Sequence, residues 1–234
     1  MNTKSWLTVA SVVLTSAVTV SAGDITGKIN LKGTPPPERA LPLDPACGAS
    51  FKKNNPGGKP TTRFFASKDG GLGDVFISVK GVKGKGKAPS GDLAIDQRGC
   101  EYLPYVSACQ TGQTITVKNS DPVLHNIHPT PRVAGNPEKN LAQLPNGPVL
   151  KFSYKNAEEF LRFKCDVHPW MFAYVNVVDH SYFAVSAEDG SYTIKDVPDG
   201  TYTVVAKHRK ADPVENKVTV KGGKVTADFT VVIK

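Results

Sequence analysis

Three side chains that can bind a metal lie within one short stretch of the chain, residues 165–171 (CDVHPWM). They are the thiol of Cys165, the imidazole of His168 and the thioether of Met171, the only methionine besides the initiator. A second imidazole, that of His125, lies upstream. Two imidazoles with a thiolate and a thioether suit copper, because this set accommodates Cu(I) and Cu(II) in a trigonal site with a weak axial sulfur. The spacing therefore predicts a single copper site.

Other uses of these four side chains fit less well. Structural zinc prefers four strong ligands, and a thioether is a poor fourth. A binuclear copper centre would need a second thiolate in this stretch, where Cys165 is alone. An ordinary disulfide between Cys165 and Cys109, with incidental histidines, is the remaining alternative. A constrained copper site that rearranges little on oxidation is suited to moving one electron rather than to transforming a substrate.

Strand alternation predicts that Cys165 faces the protein interior. In residues 161–165 (LRFKC) the apolar side chains and the cysteine fall on one face, whereas Arg162 and Lys164 fall on the other. The thiol then emerges at the end of a strand, pointing into the core. Val167 and Trp170 are predicted to shield the site from water. This shielding lowers the local dielectric and thereby tunes the reduction potential of the metal.

His125 is predicted to be the fourth ligand because it follows a strand at 114–119 and a turn at 120–122. His128 lies an odd number of residues farther along, so in an extended chain it points to the opposite face. We therefore expect His128 to lie beside the site or at the surface.

Almost every periodic segment of the chain alternates with period two, which is typical of half-buried strands. These segments are short, rich in Val, Ile, Thr, Tyr and Phe, and bounded by Gly, Pro, Asp and Asn. The predicted strands cover residues 25–31, 75–79, 114–118, 159–165, 174–178, 192–194, 201–206, 217–220 and 227–233. The chain is therefore predicted to be all-β and sandwich-like, and the long segment 136–148 has room for a short helical turn.

Four cysteines invite a disulfide assignment. If Cys165 binds metal, at most one pair can form among the other three. We favour Cys47 with Cys100, because both lie at turn-like ends of segments, and Cys109 is then a buried, inert thiol. The other pairings of these three cysteines stay open at this stage.

The N-terminal residues predict export of the protein. Lys4 precedes an apolar stretch at 6–20 that ends in small residues, which is typical of a secretory signal peptide (1–22) cleaved after Ala22. The stretch is shorter than the roughly 20 apolar residues of a spanning helix, so we expect no membrane span in the mature chain. The expected location is periplasmic or extracellular.

The formal net charge of +8 favours acidic partners. The lysines are scattered or lie in loops, and no arginine-rich helix or basic-aromatic motif accompanies them. We therefore expect no binding of nucleic acid. Redox proteins with an acidic surface, for example a cytochrome c or a dehydrogenase, are the predicted partners.

The residues around the proposed ligands resemble the cupredoxin family, of the plastocyanin and amicyanin type. The resemblance is carried by residues 102–104, 112–121, 125–128 and 165–171, and the C-x-x-H-x-x-M spacing looks like the short amicyanin loop. It implies a Greek-key β-sandwich that holds one type 1 copper. It also implies equatorial ligands His125, Cys165 and His168, and an axial ligand Met171.

The resemblance also assigns roles to neighbours of the ligands. It implies that Asn126 helps to hold the ligand loop, and that the edge of His168, within an apolar patch, is the electron port. Pro169 lacks a backbone donor, so one hydrogen bond that could reach the cysteine sulfur is absent. Trp170 lies beside this proline.

The C-terminal residues 187–204 resemble a second family, the carboxypeptidase-regulatory, transthyretin-like β-sandwich module. Residues 26–36 and 75–79 could supply the opening of that module. We therefore predict that a copper domain, 100–179, is inserted between N-terminal β segments, 23–99, and the C-terminal module, 180–234. The two outer parts are expected to pair as one sandwich.

Three classes of function fit this sequence. The first is exported one-electron transfer between protein partners, the second is an envelope copper carrier or buffer, and the third is a structural cell-surface β protein with a secondary copper site. An enzyme would usually need a second copper centre, or an open coordination position with an acid or base nearby. The sequence offers neither, so we expect no enzymatic activity.

Overall fold

The structure is a computed structural model, and it describes residues 21–34, 37–61 and 69–233. The predicted signal peptide falls largely on residues 1–20, outside the described part. Within that part the chain forms seventeen strands and one helix. They are β1 (Ala22–Lys32), α1 (Pro45–Asn54), β2 (Phe76–Lys80), β3 (Leu93–Gln97), β4 (Tyr102–Leu103), β5 (Val106–Gln110), β6 (Ile115–Asn119), β7 (His125–Thr130), β8 (Leu141–Gln143), β9 (Leu150–Phe152), β10 (Glu158–Lys164), β11 (Phe172–Val178), β12 (Phe183–Val185), β13 (Ser191–Pro198), β14 (Gly200–Lys207), β15 (Val214–Val220), β16 (Gly223–Thr226) and β17 (Phe229–Val232). The predicted all-β class is confirmed.

The strands pack as two sandwiches, each around its own apolar core. In the first sandwich, a sheet of β13, β1 and β16, with β17 also paired to β1, faces a sheet in the order β12-β2-β14-β15. In the second, a sheet in the order β4-β3-β6-β9 faces a sheet in the order β5-β11-β10-β7-β8. The candidate ligands Cys165 and Met171 belong to the second core.

The second sandwich lies in the sequence between two neighbouring strands of the first. β2 pairs with β12, from Phe76 opposite Val185 to Ser78 opposite Phe183, and strands β3 to β11 come between them. β1 pairs with β13, β16 and β17, all of which come from the C-terminal part of the chain. The first and last parts of the chain thus share one sandwich.

The second sandwich begins earlier than the predicted boundary at residue 100. β3 pairs in parallel with β6, from Leu93 opposite Ile115 to Gln97 opposite Asn119, and so belongs to the metal-bearing sandwich. The alternation within a single strand shows which side chains face inward, but it does not reveal the pairing partner. The boundary drawn from sequence was therefore too late.

A glycine marks the point where β1 changes partner. Thr26 is the last residue of β1 paired with β16, and Ile29 is the first paired with β17. Between them, a Cβ on Gly27 would lie 2.0 Å from the carbonyl oxygen of Ala227. Any larger residue would therefore push the β16–β17 connection away from β1.

Helix α1 replaces the turn predicted around Cys47. Asp44 is its N-cap, accepting a hydrogen bond from the Cys47 amide at 2.8 Å, and Pro45 begins the helix. Only Cys47, Ser50 and Phe51 are buried, which gives a helix of 10 residues too little apolar periodicity to be recognised.

The long segment 136–148 contains a strand rather than a helical turn. β8 pairs with β7, from Leu141 opposite Ile127 to Gln143 opposite His125. This strand therefore stabilises the segment that carries the candidate ligand His125.

Among the described residues, no helix is long and apolar enough to cross a membrane.

We expect Ile25→Ala to lower the free energy of unfolding of the first sandwich by about 2–5 kcal/mol. Ile25 is fully buried in that core, so truncation leaves a cavity. Urea denaturation measures the change. Val232→Ala is the matched control, because Val232 is exposed at the surface, and it should change stability by less than about 0.5 kcal/mol. Equal effects of both variants would contradict the assignment of this core.

Candidate metal centre

The two longest strands of the metal-bearing sandwich bring three candidate ligands together. β10 and β11 are antiparallel neighbours, with Lys164 opposite Phe172, so the loop between them begins with Cys165 and ends with Met171. His125 is the first residue of β7, which lies on the other side of β10. All four side chains therefore come from the same end of one sheet.

Backbone hydrogen bonds close the ligand loop on itself. The Cys165 amide donates to the Met171 carbonyl at 3.0 Å, and the Met171 amide donates to the His168 carbonyl at 2.8 Å. The His168 amide also donates to the Cys165 sulfur at 3.4 Å. The loop is thus a tight turn that holds its three donor side chains at fixed positions.

The donor atoms converge in the protein interior. The Nδ1 atoms of His125 and His168 are 2.9 Å apart, and the Cys165 Sγ lies 3.8 Å from the Nδ1 of His168. These three residues offer ligand atoms that all lie within 4.8 Å of one another. His125 is fully buried, and Cys165, His168 and Met171 are 2%, 7% and 1% exposed.

This donor set fits a copper ion. One thiol sulfur and two imidazole nitrogens lie within 4.8 Å of one another, and the same loop carries the buried Met171, whose thioether is the fourth candidate donor. Two histidines with a cysteine and a weak thioether are the donors of blue-copper sites. Copper would be held by His125, Cys165 and His168, with Met171 as the weak ligand.

Asn126 holds the ligand loop through its side-chain oxygen. Its Oδ1 accepts hydrogen bonds from the Asp166 amide at 2.7 Å and the Val167 amide at 3.3 Å, and from the Cys165 thiol at 3.2 Å. The phenol of Tyr102 donates to the Asn126 carbonyl. The family resemblance implied that Asn126 helps to hold the ligand loop.

Trp170 and Val167, which were predicted to shield the site from water, differ in how deeply they are buried. Trp170 is partly buried, its ring centroid is 5.1 Å from that of His168, and its indole nitrogen donates to the Cys100 carbonyl at 3.1 Å. Val167 is 50% exposed, so half of its surface contacts solvent. The prediction for Val167 was therefore wrong.

Asp121 is the most important residue of the site that sequence reasoning missed. Its carboxylate is buried and lies 3.0 Å from the Nε2 of His125, which leaves the Nδ1 of that ring directed at His168. The same carboxylate accepts from the amides of Gly99 and Cys100 at 2.7 and 2.8 Å. A carboxylate on the outer nitrogen of a ligating histidine fixes its orientation and makes it a better ligand.

The charges of Asp121, His125 and Cys165 support one another. Burial opposes ionisation of Cys165, but its interactions with His125 and with backbone amides outweigh burial and lower its pKa. Burial likewise opposes the charged form of His125, and the Asp121 carboxylate outweighs it and raises the pKa of His125. The pKa of Asp121 falls despite burial, because His125 and Ser50 donate to it. The site thus favours the thiolate that binds metal.

His128 lies outside the donor cluster, as predicted from strand alternation. Its Nδ1 is 2.7 Å from Asp166, and its Nε2 is 2.7 Å from Glu138. Lys164 also pairs with Asp166, at 2.6 Å. These contacts tie the ligand loop to the segment before β8.

The structure pairs Cys47 with Cys100, with Cα atoms 5.5 Å apart. Cys109 is free and buried in β5, where burial raises the pKa of its thiol to about 12. It lies in the same core as Cys165 but not in the donor cluster. A buried thiol with a high pKa is inert.

The outer edge of His168 is covered by the segment that contains α1. The Nε2 of His168 lies 3.5 Å from Asp44, the N-cap of the helix. Burial and the neighbouring His125 lower the pKa of His168. The edge of His168 that the family resemblance implies as the electron port therefore faces a carboxylate in this structure.

About 40% of the chain is similar to solved cupredoxin structures. A reduced amicyanin variant shares 18% identity over 43% of this chain and 97% of its own, with a TM-score of 0.34. A purple cupredoxin from Nitrosopumilus maritimus shares 23% identity over 37% of this chain and 99% of its own, with a TM-score of 0.31. These neighbours have the cupredoxin β-sandwich fold.

A larger enzyme also shows partial similarity. The copper-containing nitrite reductase from Thermus scotoductus SA-01 shares 18% identity over 42% of this chain, with a TM-score of 0.34, and the aligned part spans about 25% of that enzyme. No family model and no curated protein matches the chain.

Proposed function

We propose that this protein is a type 1 copper protein that transfers single electrons between protein partners. The observation that supports the proposal is the convergence of the Cys165 sulfur and the Nδ1 atoms of His125 and His168 in a buried site. Copper held there would supply a one-electron redox couple. The protein holds the donors in place through the loop hydrogen bonds, Asn126 and Asp121, so that little needs to move when the charge changes.

We also propose that the protein is not an enzyme and not primarily a copper carrier. All four donor residues are at most 7% exposed, so a substrate has no direct approach to the metal. A carrier needs a site from which the metal is released readily, and a buried, closed loop is poorly suited to that task. A structural role with a secondary metal site would not require the thiolate-favouring charges around Cys165.

An acidic redox protein is the proposed partner. The formal net charge of +8, or +7 once Lys4 is removed with the signal peptide, would attract an acidic surface over long range. Close to the ligand loop, the guanidinium of Arg162 lies 5.1 Å from the ring of Phe172, and that of Arg209 lies 3.6 Å from the ring of Tyr174. Phe172 directly follows Met171, so this arginine-aromatic face is a suitable docking surface for a protein rich in carboxylates.

The proposed location is periplasmic or extracellular. It depends on the signal peptide predicted from the sequence, with Ala22 as the last residue removed. Mass spectrometry of the protein secreted by a bacterial host should find Gly23 at the N-terminus. An uncleaved N-terminus on cytoplasmic protein would contradict the proposed location.

Copper loading tests the proposed function directly. Oxidised protein should bind one copper per chain and show an intense visible thiolate-to-copper band that disappears and returns on repeated reduction and oxidation. In Met171→Leu the band should remain while the reduction potential changes, because the axial ligand tunes the potential. His180→Gln is the control, since His180 lies between β11 and β12 and outside the donor cluster, and it should leave band and potential unchanged. Colourless protein that binds Cu(I) but does not cycle would favour the carrier.

A further inference from the structure

The residues 41–55, here called the cap, lie over the end of the second sandwich where the candidate ligands meet. Asp44 of the cap approaches the Nε2 of His168 to 3.5 Å, on the side of the ring opposite the donor nitrogen. The side chain of His168 is only 9% exposed, whereas that of Asp44 is 47% exposed. A molecule approaching this end of the protein therefore meets the carboxylate before it meets the imidazole.

Three contacts hold the cap on the second sandwich. The disulfide joins Cys47 of α1 to Cys100, between β3 and β4. The hydroxyl of Ser50 donates to Asp121, the carboxylate that also contacts His125. Leu43 packs against the core that contains Cys165. The cap is thus attached to the loop between β3 and β4, to the second core, and to Asp121, the carboxylate that orients His125.

The position of the disulfide makes it a tether for the cap in particular. The Cys47 sulfur lies within 4.8 Å of a carboxylate oxygen of Asp44 and of a ring nitrogen of His168. The Cys100 sulfur lies within 4.8 Å of a carboxylate oxygen of Asp121 and of a ring nitrogen of His125. The covalent link therefore crosses from the cap to the sandwich directly beside the two histidines. Without it, α1 would be held by only a small buried face.

We propose that the cap closes the outer edge of His168 and that Asp44 positions the His168 ring. The inference rests on the proposed function in one respect, namely that His168 is a copper ligand. The cap then keeps a redox partner from direct contact with the His168 imidazole, which leaves the arginine-aromatic face as the docking surface. Asp44 is a positioning residue, and the disulfide keeps the cap closed.

Chemical labelling of the full chain without metal tests the cap. Diethyl pyrocarbonate modifies accessible imidazole nitrogens, and mass spectrometry gives the modification rate of each histidine. The tether is removed in Cys47→Ala/Cys100→Ala. Asp44→Ser removes the carboxylate but retains a residue that caps helices well. Asp92→Ser is the matched control, because Asp92 is an exposed residue in the loop before β3.

His168 should be protected in the native protein and in Asp92→Ser. Its modification rate should rise at least about tenfold in the tetherless variant, because the cap is then no longer held beside His168 by a covalent link and can open locally. In Asp44→Ser the rate should rise about threefold, because one contact to the ring is lost and the tether remains. Alkylation of Cys109, which is buried in the second core, reports unfolding of the second sandwich and should be unchanged in every variant.

Unchanged labelling of His168 in the tetherless variant, with Cys109 still protected, would overturn the proposal. If the tetherless variant also exposes Cys109, Asp44→Ser decides, and a wild-type rate for His168 in that variant would overturn the proposed role of Asp44 and of the cap. The labelling uses no copper. A labelling result that contradicts the proposed cap is therefore distinguishable from a copper-loading result that contradicts the proposed electron transfer.

Discussion

Cys165→Ser should abolish the visible thiolate-to-copper band and weaken copper binding by at least about 100-fold, since even residues outside the ligand set can alter affinity by up to that factor. A serine hydroxyl keeps its proton near neutral pH and is a harder donor than sulfur, so it cannot replace the thiolate. The thiolate is the donor that gives the band its intensity. The variant and wild type are compared by visible spectroscopy and by competition with a copper chelator.

Cys109→Ser is the matched control for this substitution. Both cysteines are free, buried and part of the same core, and only Cys165 belongs to the donor cluster. The control should keep the band and one copper per chain. Retention of the band in Cys165→Ser, or its loss in a folded Cys109→Ser, would show that the assigned thiolate is wrong.

Asp121→Ala should lower the free energy of unfolding by about 3–5 kcal/mol, the usual result of removing one member of a buried charged pair. The carboxylate accepts hydrogen bonds from the Gly99 and Cys100 amides and from Ser50, and it contacts His125. Alanine would leave these buried donors without a partner. Urea denaturation of the metal-free protein measures the loss separately from any effect on copper.

Asp92→Ala provides the comparison for Asp121→Ala, because Asp92 is exposed and should contribute less than about 0.5 kcal/mol. A similarly small effect of Asp121→Ala would mean that the buried network does not stabilise the sandwich. The Asp121 variant should also lose metal affinity, since His125 would no longer be oriented.

The contribution of Asp121 should depend on pH. Folding lowers the pKa of this carboxyl group, so its stabilisation is fully present above the ordinary carboxyl pKa and is lost as the pH falls through the lower folded-state value. Asp121→Asn cannot ionise and should show a smaller loss of stability on acidification. Acid titrations of wild type and Asp121→Asn, followed by circular dichroism, test this prediction. The same loss of structure at the same pH in both proteins would contradict it.

Local pattern predicted the strands and the inward direction of Cys165, because side-chain alternation is a property of each strand taken alone. It also placed His125 and His128 on opposite faces, and the structure puts one in the donor cluster and the other among surface carboxylates. Donor spacing predicted the ligand loop for a similar reason. A loop of seven residues has few ways to arrange its three donors.

The parts that sequence did not predict depend on contacts between distant segments. Asp121 was assigned to a turn, and nothing nearby in the sequence indicates that its carboxylate meets Gly99, Cys100 and Ser50. Asp44 reaches His168 only because α1 folds back over the second sandwich. Such long-range contacts complete the site, whereas the local pattern specifies only its donors.

The pairing of β2 with β12 has a mechanical consequence. The chain leaves for the second sandwich from β2 and returns to β12, and these neighbouring strands are hydrogen bonded to each other. Tension applied at the two ends of the described chain would load the first sandwich, while the joined strands bypass the metal-bearing one. The pull would reach the metal-bearing sandwich only after β2 and β12 had separated, or after β1 had left its partners, because the Cys47–Cys100 disulfide ties the segment after β1 to that sandwich. The pairing of β1 and β2 with C-terminal strands thus protects the metal-bearing sandwich from stretching.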